Sequence, residues 1–177
     1  MAGGKLPPNR KPRNDLTAEF VRSVLDYDPL SGILTWKTDH AARARKGQIA
    51  GRAAANGRVS IGINGGRYYA YRIAHLIMTG EWPHAGVDHK FGETTDNRWD
   101  KLRPATQSEN GANSKLRHDS TSGFKGVSWS KSKGRWRAHI THNYKFHHLG
   151  YFDTAEEAHE AYKKAAKEIY DEFARNE

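Results

Sequence analysis

The residues of this chain best suited to chemistry sit together in "VDHKFGETTDN", residues 87 to 97, where an Asp directly precedes a His and a second Asp stands beside an Asn after a Gly-containing polar turn. In a strand, the neighbours Asp88 and His89 point to opposite faces, so a carboxylate and an imidazole serve different tasks at one spot. Free imidazole titrates at about pH 6.5, which suits it to taking a proton from water, and general-base help is worth ~10² to 10⁴ in rate. The chain contains no cysteine, which excludes disulfides and cysteine-ligated zinc and leaves His, Asn and carboxylates to hold a metal. Those donors suit a hard ion such as magnesium. An Asp-His pair alone also arises by accident in a basic chain, so the surroundings decide its meaning.

Charge points to a polyanionic partner: 29 Lys and Arg face 20 Asp and Glu, a formal charge of +9. No acidic residue occurs between Asp39 and Glu81, while Arg43, Arg45, Lys46, Arg52, Arg58, Arg67 and Arg72 fall inside that gap. A field so one-sided would hold a phosphate backbone, and a solvated face is the plain alternative. No apolar run approaches the length needed to span a bilayer, and "MAGGKLPPNRKPRND" lacks the hydrophobic centre of a signal peptide, so a cytoplasmic protein is expected.

The elements around the Asp-His pair can be read from periodicity. "LTAEFVRSVLDYD" spaces Leu16, Phe20, Val21, Val24 and Leu25 as a helix, with Thr17 as its cap. "SGILTWKT" reads as turn and strand, and Val59, Ile61 and Ile63 alternate before a Gly-Gly turn to give a hairpin. From Tyr69 the spacing of Ile73, Leu76 and Ile77 predicts a helix that stops before "GEWP". Strand, loop, and a return strand or short helix follow over 85–106, then a helical start that frays into a polar linker. Two strand-rich stretches and a helix entered by a Thr154–Glu157 capping box close the chain, with Ala155, Ala158, Tyr162, Ala165 and Ile169 on one face.

The order "GEWPHAGVDHKFGETTDNRWDKLRPATQSEN", with "LDYDPLSGILTW" and "YYAYRIAHLIMTGEWP" before it, resembles the HNH endonuclease family, in the branch common among phage and intron homing enzymes. The resemblance implies an α+β fold in which a strand pair and a helix clasp one divalent ion, the ββα-metal (His-Me finger) arrangement. Carried over by position, it makes His89 the general base, Asp88 and Asn110 the holders of one Mg2+ or Mn2+ ion, and Asn97 a brace of the loop. Two positions depart from the pattern: Lys101 stands where an Asn usually precedes "LR", and Tyr71 where a His is common. His75, one helical turn on, reads as structural or merely polar.

Residues 123 to 174 resemble the DNA-binding domain of the plant ethylene-response-factor (Apetala-type) transcription factors, through "GFKGVSW", "GRWRAHI", "HLGYFDTAEEAHEAY" and "KKAAKEIY". That domain is a three-stranded antiparallel sheet packed on one helix, and the sheet enters the major groove. Strand alternation alone puts Trp136, Ala138 and Ile140 toward the helix and Arg135, Arg137, His139 and Thr141 outward. The family's DNA-facing places fall on Lys125, Ser128, Ser130, Arg137, His139, Thr141 and His148. Serines stand where Arg is usual at 128 and 130, and His139 and His148 replace an acidic residue and a Trp, so the plant target does not transfer.

The expected organisation is a basic arm over 1–15, a nuclease domain over 16–115, a linker over 116–122 and a DNA-binding domain over 123–174. The expected activity is metal-dependent hydrolysis of duplex DNA by a homing-type, phage-encoded endonuclease whose C-terminal sheet helps choose the site. No obligate protein partner is inferred, and nothing in the sequence fixes the oligomeric state. The rival expectation is a DNA-binding regulator with an inactive HNH scaffold; an RNA-binding module is disfavoured because no aromatic stacking motif of the common RNA-recognition sheets is visible.

Overall fold

A computed structural model describes residues 13–42, 44–54 and 56–175, and these form a mixed α+β chain of small sheets and helices. They group into two compact units, the first within residues 1–84 and 94–102 and the second within 85–93 and 103–177. Residues 1–12 of the expected arm lie outside the described residues. No helix among the described residues is long and apolar enough to cross a membrane.

The first unit opens with α1 (Ala18–Val24), where the Thr17 hydroxyl accepts from Phe20 N at 3.1 Å. A cap of this kind satisfies a first-turn N–H that has no carbonyl behind it. The helix, whose expected apolar spacing reaches Leu25, stops at Val24, and β1 (Leu25–Asp28) pairs antiparallel with β2 (Ile33–Trp36). Leu25 and Tyr27 are buried while Asp26 and Asp28 are exposed, so β1 shows the period of two of a half-buried strand. Its apolar residues also fit the helical spacing, and only the distant partner strand decides between the two.

Next come β3 (Arg52–Ala53), β4 (Val59–Ile63) and β5 (Gly66–Tyr69), a three-stranded antiparallel sheet in that order. The β4–β5 turn is made by Asn64 and Gly65, at φ 49° and 70°, one residue earlier than the Gly-Gly pair suggests. Positive φ at both centres gives the turn a twist that matches its strands. Ile61 and Ile63 are wholly buried, as is Ile73 of α2 (Ala70–Thr79), which ends at left-handed Gly80 as its sequence predicts.

The second unit contains β6 (Val87–His89), paired with β7 (Leu102–Pro104), and the short helix α3 (Gln107–Ala112). Thr106 and Glu109 form a capping box at the start of α3. Strands β8 (Val127–Ser130), β9 (Arg135–His142) and β10 (Lys145–Phe152) make an antiparallel sheet with β9 central, covered by α4 (Ala155–Tyr170). The Thr154–Glu157 box stands at the start of α4, as expected. Its fully buried row runs 155, 158, 162, 166 and 170, leaving Ala165 and Ile169 only partly buried.

One core cluster joins Val127, Ala138, Ala155 and Ala158, with Trp136 and Phe152 against it. A second joins Ile140, Tyr162, Ala166 and Tyr170 to Ala112, the last residue of α3. The strand–strand–helix segment and the C-terminal sheet therefore share apolar packing through Ala112. A linker is legible from polarity, but polarity carries no record of what packs on either side of it.

Candidate active site and nucleic-acid face

All three residues of β6 are buried, so Asp88 and His89 come into the site with their backbone fixed by strand pairing. A buried carboxylate needs its charge answered. For Asp88 the answer comes from Arg103 on β7 and Asn113 at the C-terminal cap of α3. Arg103 donates from Nε to Asp88 Oδ2 at 3.0 Å, and its outer nitrogen lies 3.0 Å from the same oxygen, off hydrogen-bond alignment. The Asn113 amide nitrogen is 3.0 Å from Asp88 Oδ1, 2.8 Å from Oδ2 and 2.8 Å from the His89 carbonyl oxygen. That carbonyl also accepts from Gly92 N at 2.8 Å, which closes the turn after β6.

One amide has two N–H bonds, and three oxygens crowd its nitrogen. A carboxylate, a main-chain carbonyl and an amide that can turn its own oxygen inward are the hard donors that a cation of the magnesium type takes. Among the described residues there is no cluster of three or more His, Asp or Glu of metal-binding form, so an ion here would rest on amide and carbonyl oxygens beside the single carboxylate.

The family resemblance implies Asn110 for the amide, and the structure brings Asn113 to Asp88 instead. Asn110 turns back on its own helix, its Nδ2 donating to Thr106 O at 3.2 Å. Asn97 belongs to the other compact unit, is buried, and donates to Thr95 O at 3.3 Å while its carbonyl accepts from the Tyr27 hydroxyl at 2.6 Å. Burial pushes that phenol well above its ordinary range, which keeps it a donor. Lys101 pairs with Asp100 at 3.0 Å, and Tyr71 stacks on Tyr69. His75 has its Nδ1 3.0 Å from Glu81 O and 3.1 Å from the Thr79 hydroxyl.

The outward side of the C-terminal sheet carries Ser128, Arg137, His139, Thr141 and His148, because cross-strand partners share a side: His139 faces His148, Arg137 faces Ser128 and Thr141 faces Phe146. Phe146, 55 % exposed, was missed by the motif and sits at the centre of this face, stacked on His139 with the Arg137 guanidinium 5.7 Å from its ring. Its period-two place in β10 was the signal that could have found it. Partial burial, with Arg137 and His148 nearby, holds the His139 imidazole below its ordinary pKa. Arg135 is ion-paired to Asp153 at 2.7 Å, and Ser130 meets Ser132 at 3.4 Å.

Lys125 does not stand on this face. It precedes β8, where strand alternation does not apply, and its ammonium reaches inward to the carbonyls of Ala112, Ser114 and Arg175 at 2.5, 2.7 and 3.1 Å. Burial draws its pKa down to about 8. In the first unit Arg67 and Lys46 are exposed, Arg45 pairs loosely with Asp39 at 3.6 Å, and Arg58 lies over the Tyr69 and Tyr71 rings. Arg43 lies outside the described residues.

Two family models match the chain. A family model described as HNH endonuclease matches residues 68–112, and one described as AP2 domain matches residues 122–172. Protein 3.8 of Escherichia phage T7 is 36 % identical over 89 residues, which is 50 % of this chain and 73 % of that protein. No solved structure matches.

Proposed function

Since the chain belongs to the HNH endonuclease family and carries an AP2 domain behind the nuclease motif, we propose that it is a metal-dependent, phage-encoded DNA endonuclease of the homing type. The observation that carries this reading is the meeting of the Asp88 carboxylate, the His89 carbonyl and the Asn113 amide within 3.0 Å, on the strand that also presents His89. Asp88 and Asn113 would hold one divalent ion, Mg2+ or Mn2+, in place of the Asp88 and Asn110 pair that the resemblance implies. Such an ion would supply charge neutralisation on the scissile phosphate and on the leaving oxygen. The His89 imidazole takes the proton of the attacking water, and Arg103 holds the carboxylate in place. Arg137, His139, Phe146 and His148 lay the C-terminal sheet on duplex DNA, and tethering makes its binding and that of the nuclease motif mutually supportive.

The test is cleavage of supercoiled plasmid by His89→Ala beside the wild type. Loss of at least ~10²-fold in rate is expected, the share of a general base, with duplex binding retained. Cutting by His89→Ala at the wild-type rate would remove this residue from the mechanism. One observation favours a rival, a DNA-binding regulator with a silent nuclease scaffold: Asp88 already has a cation against it in Arg103. Duplex binding with no metal-dependent product from the wild type would establish that rival.

A further inference from the structure

We propose that the turn following α4, Asp171–Phe173, is a working part of the nuclease centre, because it positions Arg103 and through Arg103 the Asp88 carboxylate. The inference rests on the reading of Asp88 as the ion-holding group. Arg103 is only 8 % exposed, and a guanidinium so buried must find partners on every side. One edge goes to Asp88. The other donates from Nη1 to the Glu172 carbonyl at 3.1 Å and lies 3.5 Å from the Glu172 carboxylate. The Phe173 ring covers one face, with the guanidinium carbon 3.6 Å from the ring centroid.

A guanidinium is flat and rigid, so holding one edge and one face fixes the direction of the other edge. Here that direction sets Asp88 Oδ2, leaving Oδ1 with the Asn113 amide as its hydrogen-bond partner. The same C-terminal segment reaches the site a second time. Arg175 donates to the Phe91 carbonyl at 3.1 Å, through space that a side chain at Gly92 would occupy. The turn thus braces the carboxylate, and Arg175 just beyond it braces the loop that follows His89.

The experiment is Mn2+ binding to the full-length chain without DNA, read from the paramagnetic resonance of the free ion. Wild type is compared with Phe173→Leu, Phe173→Tyr, Arg103→Lys and Asp88→Asn. Partners that orient a metal ligand are worth ~10- to 100-fold in affinity, so Phe173→Leu and Arg103→Lys are expected to weaken Mn2+ about 10-fold, both with the charge at 103 kept. Phe173→Tyr restores the ring and is expected to bind as the wild type does. Adding Phe173→Leu to Asp88→Asn is expected to change nothing further. Equal or tighter Mn2+ binding by Phe173→Leu and Arg103→Lys would overturn the inference alone. Mn2+ binding that Asp88→Asn leaves intact would overturn the assignment of Asp88, and the inference with it.

Discussion

Asp88 shows how a single buried charge organises its neighbours. Arg103 and Asn113 both exist at this place to answer it, and neither is named by the spacing that draws attention to Asp88 and His89. Asn113→Ala is expected to lower the cleavage rate ~10- to 100-fold, as loss of a metal-orienting group does, and Asn110→Ala far less. Measured rates in the opposite order would return the amide role to Asn110. The two asparagines are three apart, so they neighbour each other on α3 and the sequence alone leaves both in reach of the site. Which one arrives depends on where a six-residue helix ends, and that is set by capping and by Ala112 entering a distant core. A second residue-scale expectation concerns His139. Its folded pKa lies below the ordinary 6.5, so between those two values the unfolded chain binds more protons than the folded one. Stability is therefore fully present above pH 6.5 and falls as pH drops through that window. Melting temperatures at pH 8 and pH 5 should differ more for the wild type than for His139→Gln; equal differences would show that His139 titrates normally.

At the scale of elements, the C-terminal sheet and helix were the most legible part. Three strands of period two and one capped helix of period 3.6 fix which side faces inward, and Ala138, Ile140, Ala158 and Tyr162 are buried accordingly. The packing has one position with no tolerance. Gly126 has φ 67°, and a Cβ there would stand 2.1 Å from Tyr162 Cδ2 and 2.6 Å from the His139 carbonyl. Gly126→Ala combines left-handed strain with overpacking and is expected to destabilise the second unit by about 2 kcal/mol or more, read by urea denaturation. A change near zero would mean that the α4 contact with β9 gives way freely. Less legible were the elements whose identity depends on distant partners. Leu25–Asp28 is a strand because Ile33–Trp36 lies beside it, and Lys125 is an internal cation because the carbonyls of Ala112, Ser114 and Arg175 converge on it.

For the whole molecule, the charge of +9 and the half-buried Arg137 and His139 beside exposed His148 on one side of the C-terminal sheet suit the proposed meeting with duplex DNA. The division into units does not follow the motif boundaries, since the Asp88–His89 strand and α3 group with the AP2 sheet and helix. The strand–strand–helix segment thus packs in one unit with the C-terminal sheet and helix, a firmer support than two short strands and a six-residue helix provide alone. The central claim is that Asp88 and Asn113 hold a divalent ion beside His89 for phosphodiester hydrolysis. Its most direct test is the titration of Mg2+ and of Mn2+ into purified full-length protein with supercoiled plasmid. Nicked or linear product that rises with the ion, disappears in EDTA and is lost in Asp88→Asn is the predicted result; product that persists in EDTA, or that Asp88→Asn forms at the wild-type rate, would contradict it.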